Sequence, residues 1–169
     1  PMLMPVDSSA SFVPMGTMGY KIAIGAGSST HNLRGTTIQL EDVESYRKAW
    51  KDAGHEGEPT TVVRIPTLLA DTKEEAERLS DELMVLARRY FSGRIGIGST
   101  DAGSASPDTT AEVNLFGTAE DVVEKIEVLR DQYSTDEIMF EVNWTSSVPR
   151  DVVTNTVRIL SDKVIPKFK

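Results

Sequence analysis

A cluster of hydroxyl side chains follows the first apolar stretch of the chain. Pro1–Val6 has the composition of a strand, and Asp7-Ser8-Ser9-Ala10-Ser11 comes directly after it, before a short helical stretch. Serine hydroxyls donate hydrogen bonds, and the first N–H groups of a helix attract anions. This turn is therefore a candidate phosphate site, in which Asp7 is better suited to capping the helix because a carboxylate repels phosphate. An ordinary N-cap with solvated serines is the alternative, and the turn alone favours that alternative.

Other polar side chains near strand-like segments are weaker candidates. The glycine-rich turn Gly25–Ser29 lacks the spacing of a phosphate-binding loop motif. His31 in the same loop is a candidate acid or base, although a lone loop histidine is more often exposed. Glu141 and Asn143 alternate with apolar residues, so they are predicted to share one face of a strand, which suits either an active-site rim or structural hydrogen bonding. The sequence assigns no catalytic residue, and no carboxylate or histidine spacing indicates a metal site.

The elements around these residues alternate between strand and helix. Apolar runs bounded by turn residues predict four strands, and each is followed by helical sequence. The predicted strands are Pro1–Val6, Tyr20–Ala26, Thr60–Ala70 and Ile138–Trp144. Such alternation predicts an α/β fold with parallel strands. About four βα units form either an open α/β domain or half of a TIM barrel, and the pattern alone leaves both open.

Local signals mark the ends of the helices. Thr118 and Asp121 have the spacing of a capping box, and Asp71 with Glu74 predicts a second cap at the start of the longest helix. Pro66 lies inside the third predicted strand, where a residue without an N–H group must occupy a bulge or an unpaired position.

The length and composition of the chain limit the number of domains and the classes of partner that are expected. The chain of 169 residues is predicted to form one domain over 1–169, with a Gly-, Ser- and Thr-rich insertion at 92–115 that is a flexible surface loop or a lid. The net charge is −8, from 18 basic and 26 acidic side chains, so no nucleic-acid partner is expected. No segment has the ~20 apolar residues of a membrane span, so no membrane partner is expected either. The absence of cysteine fits a cytoplasmic location.

Several stretches resemble the C-terminal half of the bacterial luciferase-like, flavin-dependent monooxygenases, and together they cover nearly the whole chain. The strongest are Tyr46–Pro59, Leu68–Ala76, Phe116–Ile126, Asp136–Trp144 and Val164–Lys169. These stretches are structural segments of the family rather than catalytic signatures. Their occurrence together in this order is nevertheless specific to the family. The resemblance implies a TIM-barrel fold in which this chain supplies roughly the last four strands, with an insertion before the final one.

The resemblance also implies a cofactor and partners. In the family, the matching acidic-Ser-small-Ser/Thr turn binds the phosphate of FMN, which makes Asp7, Ser8, Ser9 and Ser11 the predicted cofactor-binding residues. The intact family enzyme would use reduced FMN, or a deazaflavin in some branches, with oxygen or a hydride acceptor and a small organic substrate. The family's catalytic histidine lies in the other half, so the resemblance implies that this chain alone is inactive. We expect a homo-oligomer or pairing with the missing N-terminal half; the alternative is a non-catalytic flavin-binding or structural subunit.

Overall fold

The computed structural model describes residues 2–6, 8–25, 40–94, 114–144 and 146–169. Within these residues, strands and helices alternate along the chain. The strands are β1 (Leu3–Val6), β2 (Lys21–Gly25), β3 (Thr61–Leu69), β4 (Leu115–Gly117) and β5 (Glu137–Glu141). The helices are α1 (Phe12–Thr17), which follows a 3₁₀ turn at Ser9–Ser11, then α2 (Leu40–Asp52), α3 (Lys73–Arg94), α4 (Ala119–Tyr133) and α5 (Arg150–Ile159). A π-helical turn (Leu160–Val164) and a 3₁₀ turn (Ile165–Phe168) follow α5.

The chain divides into two compact units. The first consists of Pro1–Ile65 and Glu127–Met139, and the second of Pro66–Ile126 and Phe140–Lys169. One domain over 1–169 stays a prediction, and most of the predicted insertion at 92–115 lies outside the described residues. None of the helices that the structure describes is long and apolar enough to cross a membrane.

Parallel strands form the sheet of the first unit. β1 pairs with β2, and β2 pairs with the first residues of β3, both in parallel, while β5 also pairs with β3. Parallel neighbours need a crossover connection, and α1 and α2 lie in the connections between these strands. The fully buried apolar side chains of this unit are Val6, Phe12, Ile22, Ile24, Val43, Tyr46, Val63 and Ile65.

Helix α1 packs closely against α2 at Gly16. A Cβ atom at this position would lie 2.4 Å from the carbonyl oxygen of Tyr46 and 3.0 Å from Ala49 Cβ. Only glycine allows the two helices to approach this closely. The Tyr46 hydroxyl lies 3.0 Å from Tyr20 O and 3.3 Å from Thr60 O, so it donates to the backbone directly before β2 and β3.

In the second unit, the end of β3 pairs in parallel with β4, and α3 and α5 pack on these strands. The core cluster comprises Leu68, Ala70, Ala76, Leu79, Leu83, Phe116 and Val148, with Trp144, Val152 and Val153 packed against it. Thr156 of α5 is buried, and its Oγ1 accepts from Leu69 N–H at 3.2 Å and lies 3.4 Å from Leu69 O. This side chain therefore satisfies the backbone groups of the last residue of β3, as buried polar groups require.

The predicted α/β alternation is confirmed, with differences at the ends of elements. Pro66 lies between two registers, since the pairing with β2 ends at Arg64 and the pairing with β4 begins at Thr67, as its missing N–H group predicts. Strand β4 is an addition to the four predicted strands, because a run of three residues is too short to show a period. The final strand ends at Glu141 rather than at Trp144, and a turn follows.

The two predicted helix caps have different outcomes. Thr118 N–H donates to Asp121 Oδ2 at 2.9 Å, and Asp121 N–H donates to Thr118 Oγ1 at 3.4 Å, so the capping box at the start of α4 is confirmed. These bonds from Thr118, the backbone bond first, hold the pKa of Asp121 below its usual value. At the start of α3 the cap is Thr72, whose Oγ1 accepts from Glu75 N–H at 3.3 Å, and not Asp71 as predicted.

Asp71 instead binds two basic side chains near the end of the chain. Arg158 Nη2 lies 2.6 Å from Asp71 Oδ2, and Lys163 Nζ lies 3.3 Å from Asp71 Oδ1. Arg158 and Lys163 are five positions apart, and on a regular α-helix of about 3.6 residues per turn such residues point in different directions. In a π-helical turn the backbone hydrogen bonds join residues i and i+5, which brings these two side chains toward the same side. The π-helical turn thus explains how both side chains reach one carboxylate. The hydrogen bond from Arg158 is the main cause of the lowered pKa of Asp71.

Candidate functional site

The predicted phosphate turn lies at the carboxyl end of β1. Ser8 is extended, with φ −148° and ψ 147°, and the 3₁₀ turn Ser9–Ser11 begins after it, with Ser11 N–H donating to Ser8 O at 2.9 Å. We call Ser8–Ser11 the β1–α1 turn. Because β1 and β2 are parallel, their carboxyl ends meet at the same end of the sheet, which is where parallel α/β folds bind ligands. Asp7 lies outside the described residues, and of Gly25–Ser29 only Gly25 is described.

The serine hydroxyls of this turn have two different environments. Ser8 Oγ and Ser11 Oγ are 3.1 Å apart and hydrogen-bonded to each other, and both residues are half-buried. Ser9 is exposed, and its hydroxyl donates to Asp42 Oδ2 at 3.0 Å. Asp42 lies in the first turn of α2. The turn is thus tied to the next helix through Ser9, while Ser8 and Ser11 form a separate hydroxyl pair.

Some, but not all, of the hydrogen-bond donors in the β1–α1 turn suit an anion. The bond between Ser8 and Ser11 uses one of their two hydroxyl hydrogens and leaves the other for an acceptor. The N–H groups of Ser9 and Ala10 belong to the first turn of a helical segment, where no acceptor exists within the helix. One hydroxyl hydrogen and these backbone groups therefore suit a phosphate, whereas the hydrogen of Ser9 is directed to Asp42.

Of the two histidines, the structure describes only His55, whose contacts lie away from this turn. His31 lies outside the described residues. His55 follows α2, and its Nε2 lies 2.8 Å from Thr17 O while its ring packs against Trp50 at a centroid distance of 5.2 Å. A Cβ atom on Gly19 would lie 2.8 Å from the His55 ring. These contacts give His55 a structural role, in which it joins the end of α1 to the turn after α2.

The second polar pair singled out in the sequence does not share a strand face. Glu141 is the last residue of β5, and Asn143 lies in the turn that follows. Asn143 Oδ1 accepts a hydrogen bond from Val148 N–H at 3.2 Å. This residue therefore has the structural hydrogen bonding that was the alternative to a place at an active-site rim. Beside it, Trp144 stacks on Phe116 with ring centroids 6.1 Å apart, in the core of the second unit.

A polar network that the sequence did not reveal lies at the amino end of β3 in the first unit. Asp136 Oδ2 accepts from Thr61 N–H at 2.8 Å, from Thr61 Oγ1 at 2.9 Å and from Arg47 Nη2 at 3.1 Å. Arg47 Nη2 also donates to Ser134 O at 2.6 Å. Thr61 pairs with the beginning of β2, so this network and the β1–α1 turn lie at opposite ends of the parallel strands. Residues at the amino end of barrel strands contribute to stability rather than to catalysis.

A cleft of about 440 Å³ lies beside this network. Its lining residues are Leu40, Val43, Glu44, Arg47, Arg130, Asp131, Ser134, Thr135 and Asp136. Both basic and acidic side chains line this cleft. Among the described residues, no group of three or more His, Asp or Glu side chains is placed to hold a metal ion.

The chain is similar in fold to solved monooxygenases and to a reductase. The oxygenating constituent of 3,6-diketocamphane monooxygenase from Pseudomonas putida, solved in complex with FMN, matches with 22% identity and a TM-score of 0.65 over 98% of this chain and 47% of that one. Monooxygenase RslO1 from Streptomyces bottropensis matches with 15% identity and a TM-score of 0.60 over 99% and 48%. The coenzyme F420 dependent tetrahydromethanopterin reductase from Methanopyrus kandleri matches with 16% identity and a TM-score of 0.61 over 100% and 51%. No protein-family model and no curated protein matches the sequence.

These similarities define the class of fold. The chain is an α/β protein with the fold of half a TIM barrel, and it spans about half the length of the structures that it matches. Two of these structures are monooxygenases, and at identities of 15% and 22% they support the resemblance noted in the sequence at the level of fold alone.

Proposed function

We propose that the chain is the C-terminal half of a luciferase-like, flavin-dependent oxidoreductase and that its β1–α1 turn binds the phosphate of FMN. The observation that carries this proposal is the Ser8–Ser11 hydroxyl pair, 3.1 Å apart at the carboxyl end of a parallel strand. Support comes from the match of the turn to the family pattern and from the FMN in one structure of similar fold. A deazaflavin is the alternative cofactor, since another structure of similar fold depends on coenzyme F420.

In this proposal the flavin supplies the redox chemistry, and this chain supplies binding and orientation. One hydroxyl hydrogen of the Ser8–Ser11 pair and the N–H groups of Ser9 and Ala10 would hold the phosphate. That contact fixes one end of the cofactor at the carboxyl end of the strands, where barrel enzymes bind substrates. The catalytic histidine and much of the ring pocket are assigned to the other half by the sequence resemblance, so oxidation of the small organic substrate requires both halves.

Replacing both hydroxyls of the pair tests the phosphate site. A hydrogen bond to a charged group is worth ~1.5–3 kcal/mol, and ~1.4 kcal/mol is tenfold in affinity. We therefore expect Ser8→Ala with Ser11→Ala to weaken FMN binding by at least about tenfold, measured by fluorescence titration. Riboflavin, which lacks the phosphate, should bind poorly and equally to both proteins. Equal FMN affinity in the wild type and the double variant would leave the turn as an ordinary helix cap.

A matched pair of substitutions controls for loss of hydroxyls in general. Thr154→Ala with Ser161→Ala removes two exposed hydroxyls from the last helical segment, where Thr154 Oγ1 donates to Arg150 O at 2.8 Å. We expect unchanged FMN affinity for this control and unchanged thermal unfolding for both double variants.

A second candidate function is a non-catalytic flavin-binding or structural subunit that needs a partner half. The observation that favours it is the exposure of β1, the first strand of the sheet, where Met2 before the strand is 62% exposed and Leu3 is 36% exposed. An edge strand with exposed apolar side chains favours pairing with another polypeptide.

A further inference from the structure

The backbone after α5 is held in the wide form of a helical turn. Ile165 N–H donates to Leu160 O, five residues back, at the end of the π-helical turn Leu160–Val164. A regular α-helix would join the same N–H group to Ser161 O, four residues back. We call these two arrangements the π register and the α register. They satisfy the Ile165 N–H group equally, so the backbone alone does not decide between them.

The two registers place different charges beside Arg158. In the π register, Arg158 Nη2 lies 2.6 Å and Lys163 Nζ 3.3 Å from the carboxylate oxygens of Asp71. In the α register, the neighbour of Arg158 one turn further along would be Asp162, at i+4. The Asp162 carboxylate would then pair with Arg158 and repel Asp71. The charge of Asp71 therefore favours the π register, whereas the charge of Asp162 favours the α register.

Pro166 is a second feature that affects this part of the chain. A proline lacks the N–H group, and its ring disturbs the carbonyl four residues back, which is that of Asp162. The hydrogen bond that defines the π register uses the carbonyl of Leu160 instead. Pro166 therefore does not act on the carbonyl that accepts this bond.

We propose that Asp71 is a positioning residue that selects the π register of the C-terminal segment, Leu160–Phe168. Asp71 lies just beyond the carboxyl end of β3, and parallel α/β folds bind ligands at this end of their strands. The contact thus links that end of β3 with the segment after α5, and both belong to the second unit. The inference goes beyond the proposed function, because it involves neither the β1–α1 turn nor FMN.

Crystal structures of variants test the inference, since they show which carbonyl accepts from Ile165 N–H. Asp71→Asn removes both ion pairs, which are half exposed, and the loss of two such pairs shifts an equilibrium about five- to thirtyfold. We expect the α register in this variant, with Arg158 paired to Asp162. Asp71→Glu keeps the charge and should keep the π register. Pro166→Ala should keep it too.

Asp162→Asn is the matched control. It makes the same chemical change at an exposed acid of the C-terminal segment, and the π register should persist. A π register retained in Asp71→Asn would overturn the inference, and so would an α register in Asp71→Glu or in Asp162→Asn. An α register in Pro166→Ala would assign the turn to the proline instead. The FMN test of Ser8→Ala with Ser11→Ala is independent, because none of these variants changes the β1–α1 turn.

Discussion

The phenol of Tyr46 is buried in the first unit and acts there as a hydrogen-bond donor. Burial, and next the carboxylate of Asp136, raise its pKa to about 12, against the opposing effect of Arg47. The ordinary tyrosine pKa is about 10, so an unfolded chain loses this proton at lower pH than the folded chain does. The stability that follows from this difference is fully present below about pH 10 and is lost as pH rises toward 12.

Tyr46→Phe should isolate this contribution. Near pH 8 the variant should be less stable by about 1 kcal/mol, because Tyr20 O and Thr60 O lose their donor. The wild type should lose about 1.4 kcal/mol relative to the variant between pH 8 and pH 11, since only the wild type titrates at this position, so the difference should vanish between pH 10 and 11. Urea unfolding of both proteins at several pH values measures this difference in the free energy of unfolding. The contributions of the other titrating groups are the same in both proteins and cancel. A difference that stays constant from pH 8 to 11 would show that Tyr46 ionises equally in both states.

At the scale of elements, the close contact between α1 and α2 leaves no space for a side chain at Gly16. Gly16→Ala favours a helix by about 1 kcal/mol, but its Cβ would lie 2.4 Å from Tyr46 O, which belongs to a helix backbone. We expect a net loss of about 2–4 kcal/mol in the free energy of unfolding, measured by urea denaturation. Gly54→Ala is the control, since nothing lies within 4 Å of its Cβ position and only its φ of +74° opposes alanine. A loss of about 1 kcal/mol is expected there; equal losses would refute the packing argument.

The elements themselves were largely accessible from local sequence patterns. The capping box at Thr118 depends on residues three positions apart, and it is present. The apolar residues that follow it at intervals of three or four positions, Val122, Ile126, Leu129 and Tyr133, are all buried. The π-helical turn after α5 was not accessible in this way. It coincides with the binding of Asp71 by Arg158 and Lys163, and Asp71 is 87 positions away from Arg158. The spacing of neighbouring residues along the sequence does not reveal a partner that is so far away in the chain.

At the scale of the whole molecule, the exposed apolar side of β1 predicts association. In the described part of the chain, β1 stands at one end of the strand order and pairs with β2. We expect the isolated chain to self-associate at micromolar concentration, measured by sedimentation velocity. Leu3→Lys places a charge on this edge strand and should weaken the association at least about tenfold, since edge charges oppose strand pairing. A wild-type chain that sediments as a monomer at micromolar concentration would contradict the predicted association.

The sequence by itself determined the alternation of parallel strands and helices, because apolar period and helix caps are local properties. It also placed a serine-rich turn after the first strand. Only the tertiary structure decided which partners the polar side chains find. Thr61 and Asp136 are 75 positions apart, Leu69 and Thr156 are 87 apart, and Ser9 and Asp42 are 33 apart. The direction of the Ser9 hydroxyl depends on the position of Asp42 in α2, since a hydrogen bond forms only when donor and acceptor are brought within about 3 Å.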